Sequence, residues 1–351
     1  MQPEFGISRR GLMRSAGLAG LAWAISPAGL VPRAQAAGKP YHIALSNSYI
    51  GNQWRIEMVN LTQAYARKYH PHDVILTVTS SGTDVQKQIA AMDDMISRGV
   101  DAILVNPASE SGLNPVIAEA TRRGIIVVDF DHAVSAPSAY KVHVDFVKFG
   151  ELQAEWLART LNGKGNIINN RGVPGFEGDL AEYQGLKNVL KKYPDIHIVA
   201  EIYGKWDENV TQAEMTKALT AHPNIDGVLN QAGAYGAVQA FLNLHHPFVP
   251  MTGEASNGWR GAMLKYKDQG LKGISVGDPP TLGAYALKVA VEVLDGKGPA
   301  GKDILVGIPT LTTEELKPGV NVFPDEPPTV YDDIDIPGSG FALTMSEALG
   351  K

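Results

Sequence analysis

Short apolar runs alternate with amphipathic stretches along most of the chain. Tyr41–Ser46 is largely apolar, as expected for a strand that is buried on both faces. After it, Trp54, Met58, Leu61 and Tyr65 recur every three to four residues, which predicts a helix with one buried face. Similar strand–helix units recur about every 25 residues, and this order predicts parallel strands joined by helical crossovers.

The alternation predicts eleven strands and a matching series of helices. The predicted strands are Tyr41–Ser46, Asp73–Thr79, Asp101–Val105, Ile125–Phe130, Lys141–Asp145, Asn166–Asn169, Ile196–Ile202, Ile225–Gln231, Phe248–Thr252, Leu271–Val276 and Asp303–Ile308. Predicted helices include 113–123, Leu180–Tyr193, Val210–Leu219, Ala234–Leu244, Trp259–Tyr266 and Leu282–Leu294. So many strands exceed one ordinary open sheet. Two doubly wound domains or a β/α barrel are the remaining architectures.

The chain changes character after Ile308. From Pro309 onward prolines are frequent and acidic residues stand between them. Proline interrupts both helices and central strands, so this stretch predicts an irregular surface extension.

The first residues have the pattern of an export signal. Ser8–Met13 contains paired arginines and precedes an apolar run, Ala16–Val31. Ala34–Ala36 then offers a small-x-small cleavage site. The run is shorter than the roughly 20 residues of a membrane-spanning helix, and Pro27 interrupts it. The pattern therefore predicts a twin-arginine signal peptide over residues 1–36 and a mature protein in the periplasm or outside the cell.

Composition excludes several function classes. Lys and Arg number 31 against 37 Asp and Glu, so the net charge is −6, and a nucleic-acid partner would require a basic surface instead. There is no cysteine, which excludes disulfides, thiolate metal sites and cysteine nucleophiles. The sequence has no cofactor cradle, no metal-ligand spacing and no Ser–His pair, so we expect no cofactor and no bound metal.

Polar and aromatic side chains gather just after the predicted strands. In open parallel sheets, ligands bind beyond the carboxyl ends of the strands, where helix N-termini point toward them. The candidate ligand-binding residues at these positions are Asn52, Trp54, Arg55, Asn106, Asp131, His132, Asp145, Arg171, Trp206, Gln231, Glu254 and Asp278.

These residue types suit a neutral polyhydroxyl compound. Carboxylates, amides and guanidinium groups can each bind two neighbouring hydroxyls, and the C–H face of a sugar packs on an indole ring. A ligand held in this way has to leave water, because an unpaired buried polar group costs about 1–3 kcal/mol. We therefore expect a site between two domains that close around the ligand.

Five segments together resemble the type I periplasmic sugar-binding proteins of ABC transporters, of the ribose- and galactofuranose-binding kind. The segments are IALSNSYIGNQWR (43–55), ISRGVDAILVNPAS (96–109), GIIVVDFDHAV (124–134), LTAHPNIDGVLNQAGAYGAV (219–238) and GISVGDPPTLGAYAL (273–287). The resemblance extends over residues 41–310. It implies two doubly wound parallel-sheet lobes joined by a three-strand hinge.

The resemblance also implies ligand-binding positions in the first lobe. The first-loop Asn of the family corresponds to Asn52. The two stacking aromatics correspond to Trp54 and Arg55, so one aromatic is kept and one is replaced. The Asp–Arg pair after the fourth strand corresponds to Asp131 and His132, so the Asp is kept and the Arg is replaced.

In the second lobe, the aromatic position corresponds to Trp206, and Gln231 substitutes for an Asn. Glu254 stands in place of an Asp, and Asp278 corresponds to the last polar ligand. The mid-chain Arg of the family has no counterpart between Asp179 and Glu182, where Arg171 or Asp179 could substitute. These departures set the chain apart from a ribose-like pattern and leave a sugar acid or a linear polyol open as the ligand.

The resemblance places the lobe crossovers near 145–148, 276–280 and 308–312. The N-terminal lobe would contain 40–145 and 278–308, and the C-terminal lobe 146–277 and the tail 309–351. Such proteins are monomers that close on a sugar or polyol and deliver it to an ABC transporter permease in the inner membrane.

Two other functions stay open from the sequence. An exported α/β carbohydrate-active enzyme could use Asp131 and Glu254 as an acid–base pair. A sugar-responsive transcription regulator would share the two-lobe core, but it needs an N-terminal DNA-reading domain where this chain has the predicted signal peptide.

Overall fold

Strands and helices alternate along residues 39–351, the part of the chain that a computed structural model describes. The strands are β1 (Tyr41–Asn47), β2 (Val74–Ser80), β3 (Ala102–Asn106), β4 (Ile126–Asp131), β5 (Tyr140–His143), β6 (Lys164–Arg171), β7 (Asp195–Tyr203), β8 (Gly227–Asn230), β9 (Met251–Glu254), β10 (Gly273–Val276), β11 (Asp303–Leu305) and β12 (Thr310–Thr312). The predicted signal peptide, residues 1–36, lies outside the described residues.

The helices follow the strands in the order that parallel crossovers require. They are α1 (Gln53–Tyr69), α2 (Val85–Arg98), α3 (Asn114–Arg122), α4 (Phe146–Thr160), α5 (Glu177–Leu190), α6 (Glu208–Ala221), α7 (Ala234–Asn243), α8 (Asn257–Lys265), α9 (Leu282–Leu294) and α10 (Met345–Ala348). Within residues 39–351, no helix combines the length and the apolar character that crossing a bilayer requires.

The strands form two open six-stranded sheets. The first sheet has the order β2–β1–β3–β4–β5–β11 with all neighbours parallel. The second has the order β7–β6–β8–β9–β10–β12 and is parallel except for β12, which is antiparallel to β10. The predicted fold class, two doubly wound α/β lobes, is confirmed, and the alternative of a single barrel is wrong.

Apolar side chains cover both faces of each sheet. In the first lobe, one core lies under α1 and α9, and a second core lies on the opposite face under α2 and α3. In the second lobe, α6, α7 and α8 cover one face, and α4 and α5 cover the other. Burial on both faces explains why strands such as β3 are apolar along almost their whole length.

The chain passes between the sheets between β5 and α4, between β10 and α9, and between β11 and β12. Each passage leaves the carboxyl end of a strand, β5 or β11 in the first sheet and β10 in the second. They therefore place the loops that follow β1, β4, β9 and β10 around a common cleft.

The tail does not stay with the second lobe, which differs from the sequence-based assignment. Its first part includes β12 in the second sheet, whereas Tyr331, Ile336, Leu343 and Met345 are buried in the core beside α1. The tail therefore crosses between the lobes a fourth time. Single apolar residues between prolines form this contact, and they have no periodicity from which packing could be predicted.

Candidate functional site

A cavity of about 50 Å³ lies between the two sheets, beyond the carboxyl ends of their strands. Both lobes and the tail form its wall. The lining residues are Asn52, Trp54, Arg55, Asp131, His132, Phe146, Phe149, Glu182, Trp206, Glu254, Asp278 and Tyr331.

The start of α1 forms one side of the cavity. The side chain of Asn52 accepts a hydrogen bond from the Arg55 amide at 3.1 Å, so it caps the helix and fixes its first turn. In that turn, the Trp54 indole N–H donates to the carbonyl of Asp278 at 2.6 Å. The Arg55 guanidinium lies 4.6 Å from the centre of the Trp54 ring, a cation–π contact.

Arg55 and Asp131 form a buried ion pair across the cavity wall. Asn106 supports the pair by donating to Asp131 Oδ2 at 3.0 Å. Burial by itself would raise the pKa of Asp131, but the charge of Arg55 and the hydrogen bonds from Arg55 and Asn106 outweigh it, and the pKa lies below its usual value. The Asp131 backbone has φ of 73°, in the left-handed region, so the end of β4 turns its carboxylate toward the cleft at some cost in strain.

An aromatic stack forms the opposite side. The His132 ring is stacked with Trp206, with ring centres 6.4 Å apart and planes 26° apart, and it contacts Phe146 at 4.8 Å. Phe176 meets Trp206 edge-on at 5.9 Å. Burial lowers the pKa of His132 below its ordinary value, so the imidazole is neutral at pH 7.

Three further carboxyl groups face the cavity. Burial, together with the charge of Asp131 nearby, raises the pKa of Glu254 to about 8. Burial and neighbouring carboxylates raise the pKa of Glu182 and that of Asp278 well above the ordinary values. At pH 7 the Glu254 carboxyl is therefore protonated, so it can donate as well as accept a hydrogen bond. The Tyr331 hydroxyl donates to Glu254 Oε2 at 3.2 Å.

Several buried polar atoms of the wall have no hydrogen-bond partner among the described residues. They are Glu182 Oε2, Asp278 Oδ1, Arg55 Nε and His132 Nδ1. Each such group costs about 1–3 kcal/mol unless something satisfies it. A ligand with several hydroxyls can supply both donors and acceptors to this set.

Eight of the twelve predicted site residues line the cavity. They are Asn52, Trp54, Arg55, Asp131, His132, Trp206, Glu254 and Asp278. Both lobes contribute to this group, so the fold brings together positions as far apart in the chain as Asn52 and Asp278.

The other four predicted residues, Asn106, Asp145, Arg171 and Gln231, lie outside the cavity wall because other groups of the protein bind them. Asn106 supports Asp131 from behind.

Asp145 caps α4 by accepting from the Lys148 amide at 2.9 Å. Arg171 is paired with Asp179 at 2.6 Å and with Glu201 at 3.0 Å. These two side chains therefore stabilise the protein rather than face the cleft.

Gln231 accepts a hydrogen bond from the Gly172 amide at 2.7 Å and donates one to the Asp179 carbonyl at 3.1 Å. Both polar ends of its amide are therefore used within the second lobe.

Sequence reasoning missed Phe146, Phe149, Glu182 and Tyr331. Glu182 ends the stretch, Asp179 to Glu182, in which the mid-chain Arg of the family has no counterpart, and that gap was a usable signal. Phe146 directly follows the first crossover, a position that faces the cleft. Tyr331 had no signal, because nothing in the tail's pattern predicts its return to the first lobe.

The chain resembles known proteins along most of its length. The periplasmic binding protein domain family matches residues 43–298. The xylitol-binding protein of Mycolicibacterium smegmatis is 33% identical over 186 residues, which span 52% of this chain and 53% of that protein. The ribose import binding protein of Bacillus subtilis is 26% identical over 262 residues, which span 74% of this chain and 83% of that protein.

A solved structure has the same architecture. The ABC transporter solute binding protein of Thermobispora bispora superposes with a TM-score of 0.68 at 30% identity, over 76% of this chain and 84% of that one. The chain thus spans about half the length of the xylitol-binding relative and most of the ribose-binding one. The resemblance found in the sequence is confirmed, and the chain belongs to the periplasmic binding protein domain family.

Proposed function

We propose that this protein is an exported solute-binding protein that captures a neutral monosaccharide or polyol between its lobes for an ABC importer. The observation that carries the proposal is the cavity, whose wall combines aromatic faces with buried polar atoms that have no partner among the described residues. The M. smegmatis relative is named for xylitol and the B. subtilis relative for ribose. Both names describe neutral polyhydroxyl compounds.

Charge in the cavity favours a neutral ligand over a sugar acid. Among the described residues of the wall, Arg55 carries the one permanent positive charge, and Asp131 already neutralises it. A carboxylate on the ligand would instead meet Glu182, Glu254 and Asp278, in a pocket where burial raises the pKa of each carboxyl and therefore disfavours negative charge. The linear polyol or neutral sugar is therefore the better of the ligand classes that the sequence left open.

The position of the cavity supports a mechanism of opening and closing. Both lobes and the tail form its wall, so a bound ligand contacts the two lobes at once. Movement of the lobes around the passages that join them would open the cavity for entry and close it on the ligand. The ligand then favours the closed form to the extent that it binds that form more tightly than the open one.

The export route is inferred from the paired arginines of Ser8–Met13, and the permease partner from the family. Export by the twin-arginine route would bring the chain to the periplasm. There, a monomer in its closed form would meet the permease of an ABC importer. The relatives named above are named for binding or import rather than for a reaction, so the enzyme alternative has no support from them.

A ligand panel tests this function. We expect a neutral pentose, hexose, furanose or polyol to raise the melting temperature, since ligand at a hundred times Kd stabilises the folded state by about 2.7 kcal/mol. Calorimetry should then give one site per chain, with the compound recovered unchanged. Product formation would indicate an enzyme. Binding of sugar acids alone, or of no compound in the panel, would overturn the proposal.

A further inference from the structure

The C-terminal tail contributes a residue to the cavity. Tyr331 is 8% exposed, lines the cavity wall and donates its hydroxyl to Glu254 at 3.2 Å. The family match ends at residue 298, so the tail is a feature of this chain that the family domain does not describe.

Second-lobe backbone fixes the segment that carries Tyr331. The amide of Asn257 donates to the Val330 carbonyl at 2.7 Å, and the amide of Asp332 donates to the Ala255 carbonyl at 2.9 Å. These bonds lie on either side of Tyr331. The main chain at this point therefore runs as an added strand-like segment along the β9–α8 loop, antiparallel to it at Ser256.

The first lobe holds the same residue from the other side. Both carboxyl oxygens of Glu57, on α1, lie 3.2 Å from the amide nitrogen of Tyr331. Glu57 is fully buried. The first lobe therefore binds the main chain of Tyr331 itself, and the second lobe binds the main chain of the residues on either side of it.

The tail also packs against the second of the three crossovers. The side chain of Asp333 lies directly against Gly277, and any side chain at that position would clash with it. Arg260, on α8, binds the other oxygen of Asp333 at 2.7 Å. The tail segment thus follows the passage that leads from β10 to α9.

Beyond Asp333 the tail is anchored to α1. Asn60 donates its amide to the Ala348 carbonyl at 2.8 Å, and the Tyr69 hydroxyl lies 3.1 Å from the Ala342 carbonyl. Leu343 is buried in the adjoining core. These contacts lie outside the cavity and hold the tail without involving the site.

We propose that Tyr331 is a ligand-contact residue that helps to set specificity, and that the tail segment 328–333, bound by both lobes, places its ring in the cavity. The inference rests on the proposed sugar- or polyol-binding function. A phenol combines an apolar face with a hydroxyl that can donate and accept, so Tyr331 can pack on the C–H face of a ligand and bind one of its hydroxyls. Burial and the nearby charge of Glu254 raise the pKa of Tyr331 well above its ordinary value, which keeps the donor proton in place.

Tyr331→Phe tests the hydroxyl while leaving the ring and the main-chain hydrogen bonds in place. Tyr69→Phe is the matched control, because it removes the two hydrogen bonds between the Tyr69 hydroxyl and the Ala342 main chain, outside the cavity, at a residue that is 39% exposed. Both variants and the unaltered full chain are titrated by calorimetry against the same panel of neutral sugars and polyols. Circular dichroism and melting temperatures establish that each variant is folded.

We expect Tyr331→Phe to weaken binding of the preferred compound about tenfold and to change the order of preference within the panel, with Tyr69→Phe within twofold of the unaltered chain. Equal losses in both variants would show that Tyr331 acts only by docking the tail, and this would overturn the inference. Unchanged affinity in Tyr331→Phe would also overturn it while leaving the proposed function standing. If the unaltered chain binds no neutral compound, both proposals fail together.

Discussion

Arg55 and Asp131 show how single residues determine which ligands the cavity accepts. In a ribose-like pattern an aromatic stands at the position of Arg55, and here the guanidinium lies over Trp54 and pairs with Asp131 instead. A buried pair of this kind leaves neither charge free for a ligand. Replacing one partner of the pair should therefore change both the specificity and the affinity for the ligand.

We predict that Asp131→Asn weakens binding of the neutral ligand by at least tenfold and reduces the discrimination against sugar acids. The amide cannot neutralise Arg55, so the positive charge becomes available to a ligand carboxylate. Asparagine tolerates the left-handed backbone at this position, so the turn should persist. Calorimetry with a matched sugar and sugar acid measures the ratio. An unchanged ratio would show that Arg55 does not control ligand charge.

Trp206 offers its ring to the cavity as a stacking surface for a ligand. Its ring lies between His132 and Phe176 on the second-lobe side of the cavity. Trp206→Ala should weaken binding by about 1–3 kcal/mol, because stacking and buried area are lost. Trp206→Phe keeps an aromatic face and should recover part of this loss. Calorimetry of both variants is the measurement. Equal ligand affinity for the two variants and the unaltered chain would show that Trp206 does not contact the ligand.

Residue type and position predicted most of the cavity wall but could not tell a free side chain from a bound one. Trp54, Asp131 and Glu254 follow strands and face the cleft. Arg171 and Gln231 follow strands equally well, yet partners within the protein satisfy them. Those partners come from distant parts of the chain, and only the folded structure shows which groups they bind.

Elements were easier to predict than side-chain contacts. The predicted helix Leu282–Leu294 coincides with α9. The predicted strand Ile125–Phe130 begins and ends one residue before β4. Long apolar runs and helical stripes depend on burial over many residues, so single exceptions do not obscure them. The tail lacks such repetition. Its strand β12 and its return to α1 were therefore not predicted.

The second crossover, between β10 and α9, packs closely against the tail. Gly277 lies against Asp333 of the tail, whereas a side chain at Gly307, in the third crossover, would meet open space. Gly277→Ala should lower the free energy of unfolding by about 1–3 kcal/mol, because the methyl group overpacks the contact with the tail. Gly307→Ala is the control and should have little effect. Denaturant unfolding measures both, and equal stabilities would show that the tail does not pack tightly on this crossover.

Buried carboxyl groups in both lobes and the tail couple the stability of the fold to pH. Burial raises the pKa of Glu57, Asp129 and Asp332 to about 8 and that of Glu208 to about 7. In the unfolded chain these groups titrate near pH 4. The folded state therefore binds more protons than the unfolded state between about pH 4 and pH 8, and its stability falls as pH rises through that window.

We accordingly expect a higher melting temperature at pH 5.5 than at pH 8.5. Asp129 offers a test of the cause, because the Val134 amide donates to its Oδ2 at 2.9 Å and an asparagine oxygen can accept the same bond. It does not line the cavity, so Asp129→Asn should leave ligand affinity unchanged. In that variant one titrating group is gone, and the difference in melting temperature between the two pH values should shrink. A melting temperature that rises with pH, or an Asp129→Asn difference as large as that of the unaltered chain, would mean that buried protonated carboxyls do not govern the stability of this fold.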